Sequence, residues 1–141
     1  MHRRQLFDPA AVLRQCGLKA TPGRVSVLAA LALARAPLSV SQLRRGLGSK
    51  APNLATLYRM LPELARKKLV RQIDLRDVEA YYELMDPYDH HHVVCTKCSR
   101  VEDVVLGEAD KLTRRVLKRT KQFRVVTGHS LEFFGVCKRC T

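Results

Sequence analysis

Apolar residues in this chain recur at helical spacing up to Lys67, and short strand-like stretches follow with one more helical stretch among them, so the pattern predicts helices first and then a mixture of strands and a helix. Pro9 to Gln15 reads as a short helix closed by Gly17. Thr21-Pro22 starts another, with a hydroxyl N-cap and a proline at the first helical position, where the missing N–H costs nothing. Val25, Leu28, Ala29 and Leu31 to Ala34 make that helix mostly apolar, which predicts burial, and Pro37 ends it. Ser39-Val40-Ser41-Gln42 fits a capping box, in which hydroxyl and amide each satisfy a free backbone N–H. The helix it opens turns Val40, Leu43 and Leu47 inward, presents Arg44 and Arg45, and stops at Gly48.

A further helix is predicted from Pro52 to Lys67. Its packing face is read as Leu54, Leu57, Tyr58, Leu61, Leu64 and Ala65, and its open face as Thr56, Arg59, Met60, Glu63, Arg66 and Lys67. Pro62 removes one helical hydrogen bond and crowds the Tyr58 carbonyl, which predicts a kink. Strands follow at Leu69–Asp74 and Ala80–Leu84, around a polar turn at Leu75–Val78. Helices followed by a hairpin are the pattern of a winged helix-turn-helix, which lays its last helix in the DNA major groove.

Asp86-Pro87 breaks the regular pattern, which predicts a winged-helix DNA-binding domain over 1–86 and a second domain over 87–141. The second domain is expected to hold strands at His91–Cys95 and Arg100–Val104 and a helix from Gly107 to Lys121. A last strand from Phe123 to Val136 completes it. Ala109, Leu112, Val116, Leu117 and Thr120 give the helix its apolar side; acids at its start and bases at its end suit the helix dipole. The fold class is therefore α/β, a winged helix-turn-helix domain followed by a small α/β domain.

Composition sharpens this. A chain of 141 residues split in two gives lobes that are marginal alone and commonly rely on a metal or a partner chain. The 46% hydrophobic content excludes a disordered tail. Net charge is +13, and its distribution is lopsided: the first 68 residues carry 13 Lys or Arg against only Asp8 and Glu63. That excess points to a polyanion, double-stranded DNA, as partner of the first domain. Polar residues and Pro9 follow Met1-His2-Arg3-Arg4 where a signal peptide would have its apolar core. The longest apolar run, Val27 to Ala34, falls short of the ~20 residues that span a bilayer. No membrane partner and a cytoplasmic location are expected, and there cysteines stay reduced. Cys16, with no companion motif, is read as a small buried apolar residue.

Two pairs, Cys95-x-x-Cys98 and Cys137-x-x-Cys140, then indicate zinc and not disulfides. Each turn offers two thiolates at the right bite, and together they make a closed structural site that staples the 38 residues between them. Asp89-His90-His91-His92 lies just upstream. On a strand the side chains alternate, so His90 and His92 face one side and Asp89 and His91 the other, which predicts two mixed oxygen and nitrogen sites. Such ligands suit iron(II), zinc or manganese. The chain lacks His-Glu-x-x-His and the His-x-Glu of zinc deaminases, and a four-thiolate site leaves no water position, so neither an enzyme nor a small-molecule substrate is expected.

Over nearly its whole length the chain resembles the ferric uptake regulator (Fur) family of metal-dependent bacterial repressors. The resemblance is carried by Gly17-Leu18-Lys19-x-Thr21-x-x-Arg24, Asn53-Leu54-Ala55-Thr56-Leu57-Tyr58-Arg59, and Tyr82-Glu83-Leu84. The histidine run, Gly128-His129-Ser130-Leu131 and Gly135-x-Cys137-x-x-Cys140 complete it. It implies a homodimer joined through the C-terminal domain, binding palindromic operators. It implies a sensing site of Glu83, His90, His92 and Asp103 at the hinge between lobes, and a second site of Asp89, His91, Asp110 and His129. It also implies DNA-binding roles for Lys19, Arg24, Asn53, Thr56, Tyr58 and Arg59. Of these, Lys19 would enter the minor groove and Tyr58 and Arg59 would touch bases, in keeping with the fit of arginine to a guanine edge.

The chain departs from the family in places. Pro37-Leu38 stands where members often have a sensing histidine, and no histidine lies between His2 and His90, so Glu83 is expected to carry the coupling. Peroxide-sensing members use that histidine and usually an aspartate in place of Glu83, and zinc-sensing members place a cysteine in the sensing site. Asp89 and His91 stand in swapped order relative to the usual His-x-Asp. The reading is a dimeric repressor holding structural Zn2+ and controlled by a divalent metal, Fe2+ first. Its alternatives are a zinc sensor on the same fold, or a zinc-stabilised DNA-binding protein without sensing.

Overall fold

A computed structural model describes residues 7–74, 79–86 and 90–141. The predicted turn at Leu75–Val78 and Asp89 lie outside them. The chain forms two compact units, Met1–Met85 and Asp86–Thr141.

The first unit contains α1 (Pro9–Gln15), α2 (Pro22–Leu33), β1 (Leu38–Ser39), α3 (Val40–Leu47), α4 (Leu54–Arg66), β2 (Val70–Ile73) and β3 (Tyr81–Leu84). Local chemistry sets each boundary. The Asp8 carboxylate accepts from the amides of Ala10 and Ala11 to open α1. Thr21 caps α2, and the capping box at Ser39 and Gln42 is present in both directions. Asn53 Oδ1 accepts from the Thr56 amide at 2.8 Å and starts α4. Gly17, at φ 76°, ends α1 with Leu18 N–H donating back to the Leu13 carbonyl, a Schellman turn. The short β1 pairs with β3, and β3 with β2, in an antiparallel sheet of order β1-β3-β2, with Arg71 opposite Glu83. Helices and sheet close over one core, with Leu28, Leu43, Leu57, Leu61 and Leu64 fully enclosed. Gly23 lets the first turn of α2 come close, since a Cβ there would lie 3.0 Å from Pro52 Cγ.

Three expectations for α4 change. Its buried stripe is Leu57, Met60, Leu61 and Leu64, so Met60 points in, whereas Leu54 and Tyr58 are exposed. Both stripes have helical spacing; enclosure of Met60 beside Gly23 selects the first. The helix is continuous through Pro62, which is exposed, so water can take up the carbonyl that loses its partner.

The second unit holds β4 (His91–Cys95), β5 (Val101–Val104), α5 (Ala109–Arg119) and β6 (Glu132–Gly135). The strand order is β5-β4-β6, with β5 antiparallel and β6 parallel to β4. The expected strand from Phe123 is only β6: residues 124–131 form none, and Phe123 and Val125 lie exposed. Leu112 and Val116, expected on the packing side of α5, are exposed too. Cys16 is only half-buried. Among the described residues no helix is long and apolar enough to cross a membrane.

Candidate metal centres and nucleic-acid face

The second unit encloses little apolar volume; Val94 and Cys95 are its buried apolar residues, beside His91 and His92. Polar cross-links must therefore hold it. β4 ends at Cys95, opposite Gly135 of β6, which brings Cys137 alongside. The Cys137 amide donates to Cys95 Sγ at 3.3 Å and the Thr96 amide to the Gly135 carbonyl at 2.8 Å. Lys97 Nζ donates to the Cys140 carbonyl at 3.1 Å. As a result, Sγ atoms of Cys95, Cys98, Cys137 and Cys140 all lie within 4.8 Å of one another.

Cys98 and Cys137 approach to 3.7 Å. A disulfide would need about 2.05 Å. Four thiolates about 2.3 Å from zinc form a tetrahedron with edges of about 3.8 Å. The four thiols fit zinc in both number and spacing. Backbone amides, that of Cys137 first, pull the Cys95 thiol down to about 6, while the neighbouring thiols, Cys137 first, push Cys140 up to about 12. Four sulfurs so close cannot all carry charge without a cation among them.

A second set of donors sits on β4 and β5. The rings of His90 and His92 meet edge to face, centroids 5.2 Å apart, and β-pairing sets His92 opposite Asp103. His92 Nε2 is 3.6 Å from Asp103 Oδ1, too long for a good hydrogen bond. Two ligands of one ion, each about 2.1 Å from it, stand about 3–4 Å apart. Ligand atoms of His90, His92 and Asp103 lie within 4.8 Å of one another, and this donor set of nitrogen and oxygen fits a divalent ion.

On the other side of β4, His91 and His129 have ring centroids 5.3 Å apart. Asp110 is exposed in the first turn of α5, and among the described residues it does not close on that pair. Glu83 belongs to the first unit. It is buried in β3 and accepts from Arg71 Nε across the β2–β3 ladder at 2.8 Å.

The first unit exposes Tyr58, 55% accessible, together with Asn53, Arg59 and Lys19. Thr56 is half-buried beneath its cap. Arg24 is different: its guanidinium donates to the Lys19 carbonyl at 3.1 Å and to Glu63 Oε2 at 2.7 Å. Sequence reasoning missed the parts of Arg71 and Glu63. Arg71 could be found only from the hairpin register, and Glu63 only from the packing of α2 on α4.

The sequence profile of the Ferric uptake regulator family matches residues 15–134. The peroxide-responsive repressor PerR of Staphylococcus epidermidis is 26% identical over 138 residues, 96% of this chain and 90% of its own. The ferric uptake regulator of Vibrio cholerae superposes with a TM-score of 0.80 at 26% identity, covering 92% of this chain and 100% of its own. The peroxide stress regulator of Campylobacter jejuni does so with a TM-score of 0.66 at 28% identity, over 82% and 99%. With that profile spanning most of its length, the chain belongs to the ferric uptake regulator family of metal-responsive transcriptional repressors.

Proposed function

We propose that this protein is a homodimeric repressor whose α4 reads a palindromic operator and whose DNA affinity is set by iron(II) bound apart from a structural zinc. The observation that carries this is the separation of two donor sets in one small unit: four thiols, closed and soft, and a histidine–carboxylate group that contains no sulfur. The thiols would hold zinc, which supplies a cross-link and no chemistry. His90, His92 and Asp103 would hold the regulatory ion, with Glu83 as the ligand that the family resemblance implies from the first unit. An ion held from both sides of the Met85–Asp86 boundary would favour one arrangement of the units, and the equilibrium shifts only by its differential affinity for the two. His91 and His129 would anchor the second site, which the family resemblance completes with Asp89 and Asp110 although Asp110 stands apart from the pair.

Lys19, Asn53, Thr56, Tyr58 and Arg59 would face DNA, with the strongly basic first 68 residues supplying the phosphate attraction. Exposure of Tyr58 and Arg59 in the second turn of α4 supports this. The exposed apolar side chains of the second unit, Leu112 and Val116 among them, support a dimer, and the family supports a regulator over an enzyme and a cytoplasmic location. Zinc at the regulatory site is the second reading, favoured because a nitrogen–oxygen set accepts zinc as readily as iron(II). The relatives bring in peroxide as well.

Operator titrations of protein carrying only its cysteine-held zinc, with iron(II), manganese(II) or zinc(II) added in turn, test these readings. Iron(II) should tighten specific binding by at least about tenfold, a coupling of about 1.4 kcal/mol. Peroxide added to the iron-loaded protein should leave binding unchanged. Equal affinity with and without every added ion would end the switch.

A further inference from the structure

Arg24 stands in a motif that the family resemblance assigns to DNA, yet its guanidinium is already engaged inside the first unit. One terminal nitrogen donates to the Lys19 carbonyl at 3.1 Å, the other to Glu63 Oε2 at 2.7 Å, and the pair is largely shielded, with side chains 20% and 34% exposed. The backbone of Arg24 is fixed as well, its amide donating to Thr21 Oγ1 at the start of α2. Behind it, Gly23 presses against Pro52, in the segment that leads into α4. One planar group therefore joins three pieces of chain: the loop bearing Lys19, the first turn of α2, and α4.

Glu63 is placed tellingly. It lies four residues after Arg59 on α4, the spacing at which side chains share a helix face. An acid there could neutralise the arginine meant for DNA and would repel phosphates. With its Oε2 held by Arg24, Glu63 is directed toward α2 instead.

The geometry points to a clamp: Arg24 and Glu63 are positioning residues for DNA recognition, holding the Lys19 loop and α4 at a fixed separation and keeping the Glu63 charge away from Arg59. Neither needs to touch DNA. This rests on the reading of α4 as the recognition helix, and it yields a prediction of unusual sign. Removing an acid from a DNA-binding face ordinarily strengthens binding; removing Glu63 should weaken it.

The probe is the duplex that the full-length protein selects from a random-sequence pool, compared with a scrambled duplex of the same composition at saturating manganese(II). Arg24→Ala, Arg24→Lys and Glu63→Gln should each lower affinity for the selected duplex about tenfold while binding to the scrambled one changes little. Lysine keeps the charge but cannot bridge two acceptors in a plane, so it should not rescue. The Arg24→Ala, Glu63→Gln double variant should be no weaker than either single variant, because both remove one interaction. The slope of log affinity against log salt should stay at the wild-type value in the Arg24 variants, whereas Lys19→Ala should reduce it by up to about 0.9, the loss of one cation from the duplex surface. A merely stabilising pair would lower the melting temperature without changing the ratio of selected to scrambled binding.

The clamp is overturned if Arg24→Ala reduces the salt slope by about one contact and Arg24→Lys restores affinity, for then Arg24 grips phosphate. It is overturned equally if Glu63→Gln binds the selected duplex as tightly as wild type. Arg59→Ala separates the two levels: if it leaves selected binding unchanged, α4 is not the reader; if it weakens binding while Glu63→Gln does not, only the clamp fails.

Discussion

A carboxylate buried as Glu83 is buried keeps its charge only beside a cation, and Arg71 provides one from the facing strand, donating through Nε at 2.8 Å. That contact also fixes the rotamer of Glu83, which bears directly on its proposed role as a ligand. A ligating carboxylate left to rotate must be ordered when the ion binds, and loss of such an outer partner costs about 10–100-fold in metal affinity. Arg71→Ala is therefore expected to weaken the regulatory ion by about tenfold in competition against a chelator, with the cysteine-held zinc unaffected. An unchanged dissociation constant would mean that Glu83 is aligned by something else or is no ligand. The pairing was not legible in advance. It depends on the β2–β3 register, and Leu75-Arg76-Asp77-Val78 contains no Asn-Gly or Gly pair that would set the length of the turn.

Elements were legible where one residue settles one backbone group. Gly17, Thr21-Pro22, the Ser39–Gln42 box and Gly48 all sit at the ends of helices, because capping is decided within four residues. The rotational phase of α4 was not local. Leu54, Leu57, Tyr58 and Leu61 make as good a stripe as Leu57, Met60, Leu61 and Leu64, and the choice falls to what α2 presents. β6 was over-read for a related reason: an apolar run from Phe123 predicts a strand, but only Glu132–Gly135 has β4 to pair with. The end of α4 offers a test at this scale. Lys68 adopts φ 57°, donating to the Ala65 carbonyl while Leu69 donates to that of Leu64, which is a Schellman turn with lysine where glycine is at ease. The left-handed conformation costs a residue with a Cβ about 1–2 kcal/mol, and glycine gives back part of that in unfolded-state entropy. Lys68→Gly should thus stabilise the first unit by about 0.5–1 kcal/mol, raising its melting temperature by a few degrees. A lower melting temperature would show that the lysine side chain contributes more than its backbone strain.

At the scale of the molecule, the break at Asp86-Pro87 is the feature from which two units were expected, and the basic excess of the first 68 residues is what pointed to DNA as a partner. What the sequence pattern could not reveal is how little the second unit covers itself. Leu112 and Val116 lie one turn apart on α5 and are both exposed, and Phe133 and Phe134 of β6 are exposed as well. A unit that leaves such side chains uncovered is where an interface is expected, and a second copy of the chain is the partner that the family implies. Charges placed on α5 should then cut the assembly without disturbing either metal. In a Leu112→Glu, Val116→Glu variant the sedimenting mass should halve at micromolar concentration, while the zinc content and the melting of the first unit remain as in wild type. Operator binding should fall steeply, because each half-site would be held by a lone recognition helix and the second contact would lose its high effective concentration, a factor of about 10²–10⁴. Scrambled DNA, bound through phosphates alone, should show a much smaller loss. If the variant sediments as a dimer, α5 lies outside the interface, and the exposed phenylalanines of β6 become the surface to charge next.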